Sequence, residues 1–279
     1  MRFVKSSAVV GLLALVAAAC TDKPASSIVA PRTAGLIVNG QPTGNLYPSV
    51  GALLFDYRQN GITGDDEWCT GSLIDADVFL TAAHCVVTPY TSPSSQFYVS
   101  FSPDLYARSF KYIAATGFVN DPQYGHDQAN LHDLALIFLP KGSTKGLTPL
   151  QLPPAGYLDG LKASGGINSL TFVNVGYGTS STPTGTPDFP FDGKRNYSYS
   201  EFMGLQPTWL GLLMNNNSTG LGGDCYGDSG GPKFIAGNSS MIVATVTTGD
   251  YPCRATTWDW RLDTPEARGF LGHYVTLPK

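Results

Sequence analysis

Residues 225–232 read CYGDSGGP, and three of the eight are glycine. Ser229 lies between Asp228 and Gly230. Glycine accepts left-handed backbone turns that other residues resist, so such a run can expose a hydroxyl and aim successive N–H groups at one point. A serine in an ordinary glycine-rich turn is the plain alternative, and it predicts a solvated hydroxyl without partners. A serine that attacks an amide needs more. It needs a base to take its proton, a group to hold that base in one tautomer, donors for the developing oxyanion and a means of positioning the substrate.

Two segments upstream carry residues of the right type. Residues 81–85 read TAAHC, and His84 adjoins Cys85, sixteen residues after the cysteine that opens CTGSLI at 69–74. Residues 132–139 read HDLALIFL, so Asp133 stands at the mouth of an apolar run. His84, Asp133 and Ser229 follow one another at separations of 49 and 96 residues. Taken singly, His84 reads as a structural or surface histidine, Asp133 as a solvated carboxylate at a strand end, and His132 as a surface residue. Further out, IVNG occupies 37–40 and GYG occupies 176–178 behind an apolar stretch.

Only 14% of the 279 residues are charged, while 32 glycines and 20 prolines punctuate the chain, a composition that favours many short strands joined by turns. The hydrophobic fraction of 42% suffices for a packed core, and a net charge of −4 without a long Lys/Arg run leaves no nucleic-acid footprint. Apolar runs bounded by turn residues predict strands over 49–56, 71–81, 96–101, 134–139, 170–175 and 241–247. A short helix is expected over 265–274, capped by Asp263 or Thr264 with Pro265 at its first position. Segments 178–198 and 215–223 read as loops, and Asp65-Asp66-Glu67 as a solvated acidic loop.

At the N-terminus, Arg2 and Lys5 flank an apolar stretch from Ala8 to Ala19 that is too short to span a bilayer and ends in small residues. This is the pattern of an export signal over 1–19. Residues 20–36 are polar, small and proline-containing, and read as a linker or pro-segment. The mature chain is therefore expected outside the cytoplasm, extracellular or periplasmic, where disulfides persist. Five cysteines leave one over. Cys20 adjoins the cleavage site, and Cys69, Cys85, Cys225 and Cys253 allow three pairings, of which Cys69–Cys85 with Cys225–Cys253 closes the shortest loops.

Taken together, CYGDSGGP, TAAHC, HDLALIFL, IVNG and GYG in this order resemble the chymotrypsin/trypsin family of serine endopeptidases, over residues 37 to 253. The order His84, Asp133, Ser229 separates this type from the subtilisin and α/β-hydrolase orders. The resemblance implies an all-β fold of two six-stranded antiparallel barrels over 37–279, with the active site between them and a short C-terminal helix. It implies Ser229 as nucleophile, His84 as general base, Asp133 as the residue orienting it, and the N–H groups of Gly227 and Ser229 as oxyanion hole. It favours the Cys69–Cys85 and Cys225–Cys253 bridges. It also implies a zymogen, in which cleavage after Leu36, by an activating protease or by a first cut at Arg32 and trimming, frees Ile37 to pair with Asp228. For the specificity pocket it places Gly223 at the floor, Asp224 beside it, Thr247, Thr248 and Gly249 along one wall, and the segment 254–260 along the other. With glycine where trypsin-like members carry aspartate, an aromatic or large aliphatic preference is expected.

Cys20 admits two readings. Ala17-Ala18-Ala19-Cys20 loosely resembles a bacterial lipoprotein signal, in which case the precursor is lipid-anchored through Cys20; otherwise the same site is an ordinary signal cleavage. The expected partners are polypeptide substrates and an activating protease, with no nucleic acid, membrane contact through a lipidated Cys20 only, and a monomeric state. No cofactor or metal is expected, since the four histidines lack HExxH-type spacing. The main alternative is a catalytically silent, protease-like binding protein, against which the retention of all three triad residues argues. An esterase on a hydrolase fold would require the reverse residue order.

Overall fold

The computed structural model describes residues 37–182 and 185–279. The expected export signal, Cys20 and the pro-segment over 20–36 lie outside the described residues. In chain order the first eight strands are β1 (Gln41–Pro42), β2 (Val50–Phe55), β3 (Glu67–Asp75), β4 (Val78–Thr81), β5 (Phe97–Ser100), β6 (Ile113–Ala114), β7 (Gly117–Asn120) and β8 (Ala135–Phe138). Helix α1 (Tyr157–Ala163) leads into β9 (Thr171–Gly176), β10 (Asn196–Leu205) and β11 (Trp209–Leu213). After the one-turn helix α2 (Asn216–Thr219) come β12 (Pro232–Ile235), β13 (Asn238–Gly249), β14 (Thr256–Arg261) and the C-terminal helix α3 (Pro265–Leu271).

These strands form two antiparallel sheets, the chymotrypsin-like arrangement. The second runs β1-β10-β11-β14-β13-β12-β9, and β10 also pairs with β9 from Asn196↔Gly176 to Glu201↔Thr171, which closes six strands into a barrel. The first runs β6-β5-β2-β3-β4-β8-β7 and has no such closing ladder. Its two edges are successive pieces of one run of chain. Ala115 N donates to Phe97 O on β5 and the next residue, Thr116, donates to Phe138 O on β8. The chain thus changes partners between β6 and β7, so the first half curls round without a continuous sixth ladder, where two closed barrels were expected.

The cores explain which stretches read clearly as strands. In β8 and the residue before it, Leu134 and Leu136 face a cluster shared with Val173, Val175, Phe234 and Trp260 of the second sheet, while Ala135 and Ile137 face Leu53, Phe79 and Phe97 inside the first. Side chains alternate faces along a strand, and here both faces are buried, so the run is apolar throughout. The second barrel encloses Phe172, Leu210, Leu212 and Val243. Each such buried side chain contributes about 1.5–3 kcal/mol relative to exposure. Helix α3 closes the shared cluster with Ala267, Phe270 and Leu271. Thr264 is its cap, accepting from Ala267 N at 3.3 Å, and Pro265 opens the first turn. Asp263 instead accepts from Leu158 N at the start of α1, 2.7 Å away.

Several local expectations are revised. The run 71–81 is two strands, β3 and β4, paired through Ser72↔Leu80. The segment 215–223 contains α2, capped by Asn215 and ended by Gly220 at φ 72°. Asp66 is buried, in a capping box with Thr63, and is not solvated. Among the described residues no helix is long and apolar enough to cross a membrane.

Candidate active site

His84 is presented by a single 3₁₀ turn, Ala83–Cys85, that follows β4. Ala82 and Ala83 are fully buried, so the turn lies tight against the first sheet, and a disulfide from Cys85 to Cys69 ties it to β3. Trp68 covers the bridge, its indole N–H donating to Cys85 O at 2.8 Å. Asp133 is fully buried ahead of β8. Both of its oxygens serve one residue: Oδ1 accepts from the His84 backbone N–H at 2.9 Å, and Oδ2 lies 2.8 Å from His84 Nδ1. The carboxylate therefore holds both the turn and the ring. Burial disfavours the imidazolium, but the charge and hydrogen bond of Asp133 more than offset this, and His84 titrates above its ordinary 6.5. With the shared proton on Nδ1, Nε2 is left as the basic nitrogen.

His132 is not a surface residue. It adopts φ 57°, its Nδ1 lies 3.0 Å from Asp121 Oδ2, and its ring rests on Trp260 with centroids 5.8 Å apart. This left-handed residue turns the chain so that Asp133 points back at the histidine turn.

Ser229 lies in a loop with left-handed glycines on both sides, Gly227 at φ 96° and Gly230 at φ 77°. A Cβ at Gly227 would sit 2.9 Å from the Gly178 Cα, so the site has no room for a side chain. The loop is tied to β3, where Thr70 N donates to Ser229 O at 2.9 Å and Thr70 Oγ1 to Gly227 O at 2.9 Å. Cys85 Sγ approaches Ser229 O at 3.8 Å, which brings the histidine turn against the serine loop. The second disulfide, Cys225–Cys253, joins the start of this loop to the segment after β13. Among the described residues neither the Gly227 nor the Ser229 N–H has a hydrogen-bond acceptor.

Asp228 anchors the loop from within. It is fully buried and accepts from Gly178 N at 2.9 Å and Cys225 N at 2.8 Å. Burial, with the Asp224 charge adding to it and the two N–H donors opposing, pushes it up to about 8. The GYG motif is explained here, since a Cβ at Gly178 would lie 2.6 Å from Asp228 N. Ile37 is fully buried at φ 65°. In this uncut chain its nitrogen is an amide, and no ion pair joins it to Asp228 among the described residues. Glu67, partly buried at the start of β3, is driven well above the usual carboxylate range by burial and then by Asp228.

His84, Gly227 and Ser229 open on one cavity of about 640 Å³. Asp224, Thr247, Thr248 and Gly249 line it, as do Thr256, Thr257, Trp68 and Cys69. Gly223 is not part of the lining. Its N–H and C=O pair with Val38, and Met214 packs over its Cα, so the expected floor residue belongs to the wall behind. Sequence reasoning missed Lys233 and Asp259, buried behind Asp224. The available signal was Lys233 inside the otherwise apolar PKFI, and Asp259 and Arg261 alternating with the tryptophans of TTWDWR. Among the described residues, the group close enough to bind a metal is Cys69, His84 and Cys85, whose sulfurs are joined to each other and offer no thiolate.

The fold coincides with what similarity to known proteins indicates. The trypsin family model matches residues 48–258. A collagenase of Hypoderma lineatum is 28% identical over 209 residues, 70% of this chain and 72% of that protein. Among solved structures, human heparin binding protein superposes with a TM-score of 0.61 at 17% identity, covering 87% of this chain and all of that one. Mouse neuropsin, a serine protease, superposes at 0.60 with 20% identity, covering 81% and 95%. The match to the family model spans most of the chain, from ahead of β2 into β14, and on that ground the chain belongs to the trypsin family.

Proposed function

We propose that the protein is an active serine endopeptidase. Ser229 Oγ attacks the scissile carbonyl carbon while His84 Nε2 takes its proton. The tetrahedral oxyanion is held by the N–H groups of Gly227 and Ser229. Collapse expels the amine, to which His84 returns the proton, and leaves an acyl group on Ser229. Water, deprotonated by the same imidazole, then releases the acid. One observation carries the reading: both oxygens of a fully buried carboxylate are committed to His84, whose ring opens on the same cavity as Ser229. A fold kept only as a scaffold has no need of that arrangement.

Activation follows from the buried acid of the serine loop. Cleavage after Leu36 frees the Ile37 amine, and a cation close to Asp228 stabilises a carboxylate that burial otherwise disfavours. Val38 already bridges to Gly223, two residues before Cys225, so the segment lies next to the serine loop before cleavage. Two disulfides suit an oxidising compartment, which supports export. The rival reading is a silent binding protein, in keeping with the name of the heparin binding relative. A net charge of −4 without a basic run makes a polyanion a poor ligand here. Hydrolysis of a mixed peptide library by the processed protein tests the proposal. Cleavage is expected, together with its loss in Ser229→Ala, and equal cleavage by that variant would refute it.

A further inference from the structure

Two loops beside the first sheet put aromatic rings into water. Residues 56–61 read DYRQNG and residues 88–96 read TPYTSPSSQ, so each loop carries one tyrosine among small or polar residues. Tyr57 is 54% exposed and Tyr90 59%. Their ring centroids lie 4.9 Å apart with the planes at 72°, and the two rings make a corner. Scattered single apolar residues on a surface need no explanation, but grouped ones mark a place where something binds. Both tyrosines line a cavity of about 570 Å³ that shares no lining residue with the catalytic cleft. Its volume falls within the range of about 300–1,000 Å³ usual for ligand sites. Tyr98 of β5 lines it too.

The polar part of the lining narrows the ligand. Asp56 is its one charged residue, and both carboxylate oxygens are taken up by their own loop, accepting from Asn60 N at 3.0 Å and Gly61 N at 2.9 Å. Arg58 is exposed and lies outside the lining. The cavity therefore offers no free charge. Main-chain donors are used up as well, since the N–H groups of Tyr57, Gln59, Tyr90, Ser92 and Ser95 all donate within the two loops. A peptide strand finds no open edge to pair with. What is left are side chains that both donate and accept. The hydroxyls of Tyr57, Tyr90 and Tyr98 and the amide of Gln59 have no hydrogen-bond partner among the described residues. Gln96 keeps its Oε1 free, while its NH₂ donates to Phe97 O at 2.8 Å and Ala115 O at 3.0 Å.

We infer that the cavity between these two loops binds a neutral oligosaccharide. A pyranose ring shows C–H groups on its faces and hydroxyls round its edge. The C–H face suits the negative face of a tyrosine ring, and the hydroxyls, each both donor and acceptor, suit the free tyrosine and glutamine groups. Flat, β-linked chains of glucose or N-acetylglucosamine are the class that fits. The site also adjoins the catalytic cleft. Tyr57 stacks on Trp68, with centroids 6.5 Å apart and planes inclined by 26°, and Trp68 lines the cleft. A sugar chain lying on Tyr57 is one ring away from that cavity, so a polypeptide attached to the sugar is brought close to Ser229. This consequence rests on the peptidase reading; the sugar site itself does not.

The test is calorimetric titration of the full disulfide-bonded protein with cellohexaose, with chitohexaose and with hexaproline, a peptide that also favours aromatic grooves. Because it reads binding, it does not depend on turnover. At least one of the two sugars is expected to bind, and more tightly than hexaproline. Tyr90→Ala should weaken that sugar roughly tenfold, the size of one lost ring contact, and Gln59→Ala roughly fivefold, the size of one lost neutral hydrogen bond. Both positions are exposed, so the two variants should keep the wild-type Tm, which thermal denaturation checks. No binding of either sugar at millimolar concentration, tighter binding of hexaproline, or unchanged sugar affinity in both folded variants overturns the inference. Sugar binding that both variants weaken, without hydrolysis of any peptide, leaves the inference supported and refutes the peptidase reading instead.

Discussion

Replacing Asp133 by asparagine probes the arrangement at its most constrained point. The wild-type carboxylate makes two contacts with His84, 2.9 Å to the backbone N–H and 2.8 Å to Nδ1, and is fully buried. Asparagine has one oxygen for two positions that both require an acceptor. If the amide oxygen stays with the backbone N–H, its NH₂ faces the ring. Nδ1 must then accept, and the proton moves to Nε2. The nitrogen that should take the Ser229 proton is already protonated. The expected cost is about 10⁴-fold in kcat, roughly 5 kcal/mol of barrier, the size known for this exchange in chymotrypsin-type enzymes. KM should change little, because Asp133 is not part of the cavity lining. The fold should survive, with a stability loss of about 1–3 kcal/mol for a weakened charged hydrogen bond. The pH profile gives a second readout. In the wild type the base must be neutral, so activity rises with pH through a value above 6.5. In the variant the influence raising that value is gone while burial still lowers it, so any residual acid limb moves to lower pH. Steady-state kinetics on a chromogenic peptide, with thermal denaturation as the folding control, measure all of this. A kcat within tenfold of wild type in a folded variant would refute the assigned role of Asp133.

Three further outcomes are expected. Replacing Cys69 and Cys85 together with serine opens a loop of 16 residues, which should cost about 3 kcal/mol by loop entropy and lower Tm by roughly 10 °C, measurable by calorimetry. Gly227→Ala places a Cβ 2.9 Å from the Gly178 Cα at φ 96°; it should lower kcat more than affinity for a substrate-like inhibitor, which kinetics and inhibitor binding can separate. N-terminal sequencing of active protein should read Ile37-Val38-Asn39-Gly40, and full activity from any other start would contradict the activation proposal.

Legibility in the sequence followed the chemistry of each segment. His84, Asp133, Ser229 and the four bridging cysteines were legible because their short runs together resemble one family, whereas each residue taken singly reads as an ordinary one. Strand β8 was visible because both of its faces are buried in apolar clusters. Strands β10 and β14 were not, because most of their buried positions are polar. Asn196, Ser198 and Ser200 point into the structure from NYSYSEFMGL, and Asp259 and Arg261 from TTWDWR. Their burial is made possible by partners distant in the chain. Asn174 donates to Ser198 and Ser200, and Arg261 pairs with Asp159. No local pattern announces such pairs. The same holds for Lys233, whose neutralising acids lie 9 and 26 residues away, and for Gly223, whose displacement from the cavity follows from its bridge to Val38.

The most direct measurement of the central claim is covalent labelling with a fluorophosphonate, which reacts only with a serine whose proton is being drawn by a base. Processed, folded protein should take up one adduct per chain, located by mass spectrometry on Ser229, and His84→Ala should take up none. Folded, processed protein that remains unlabelled, or that carries the adduct at a serine other than 229, would contradict the account.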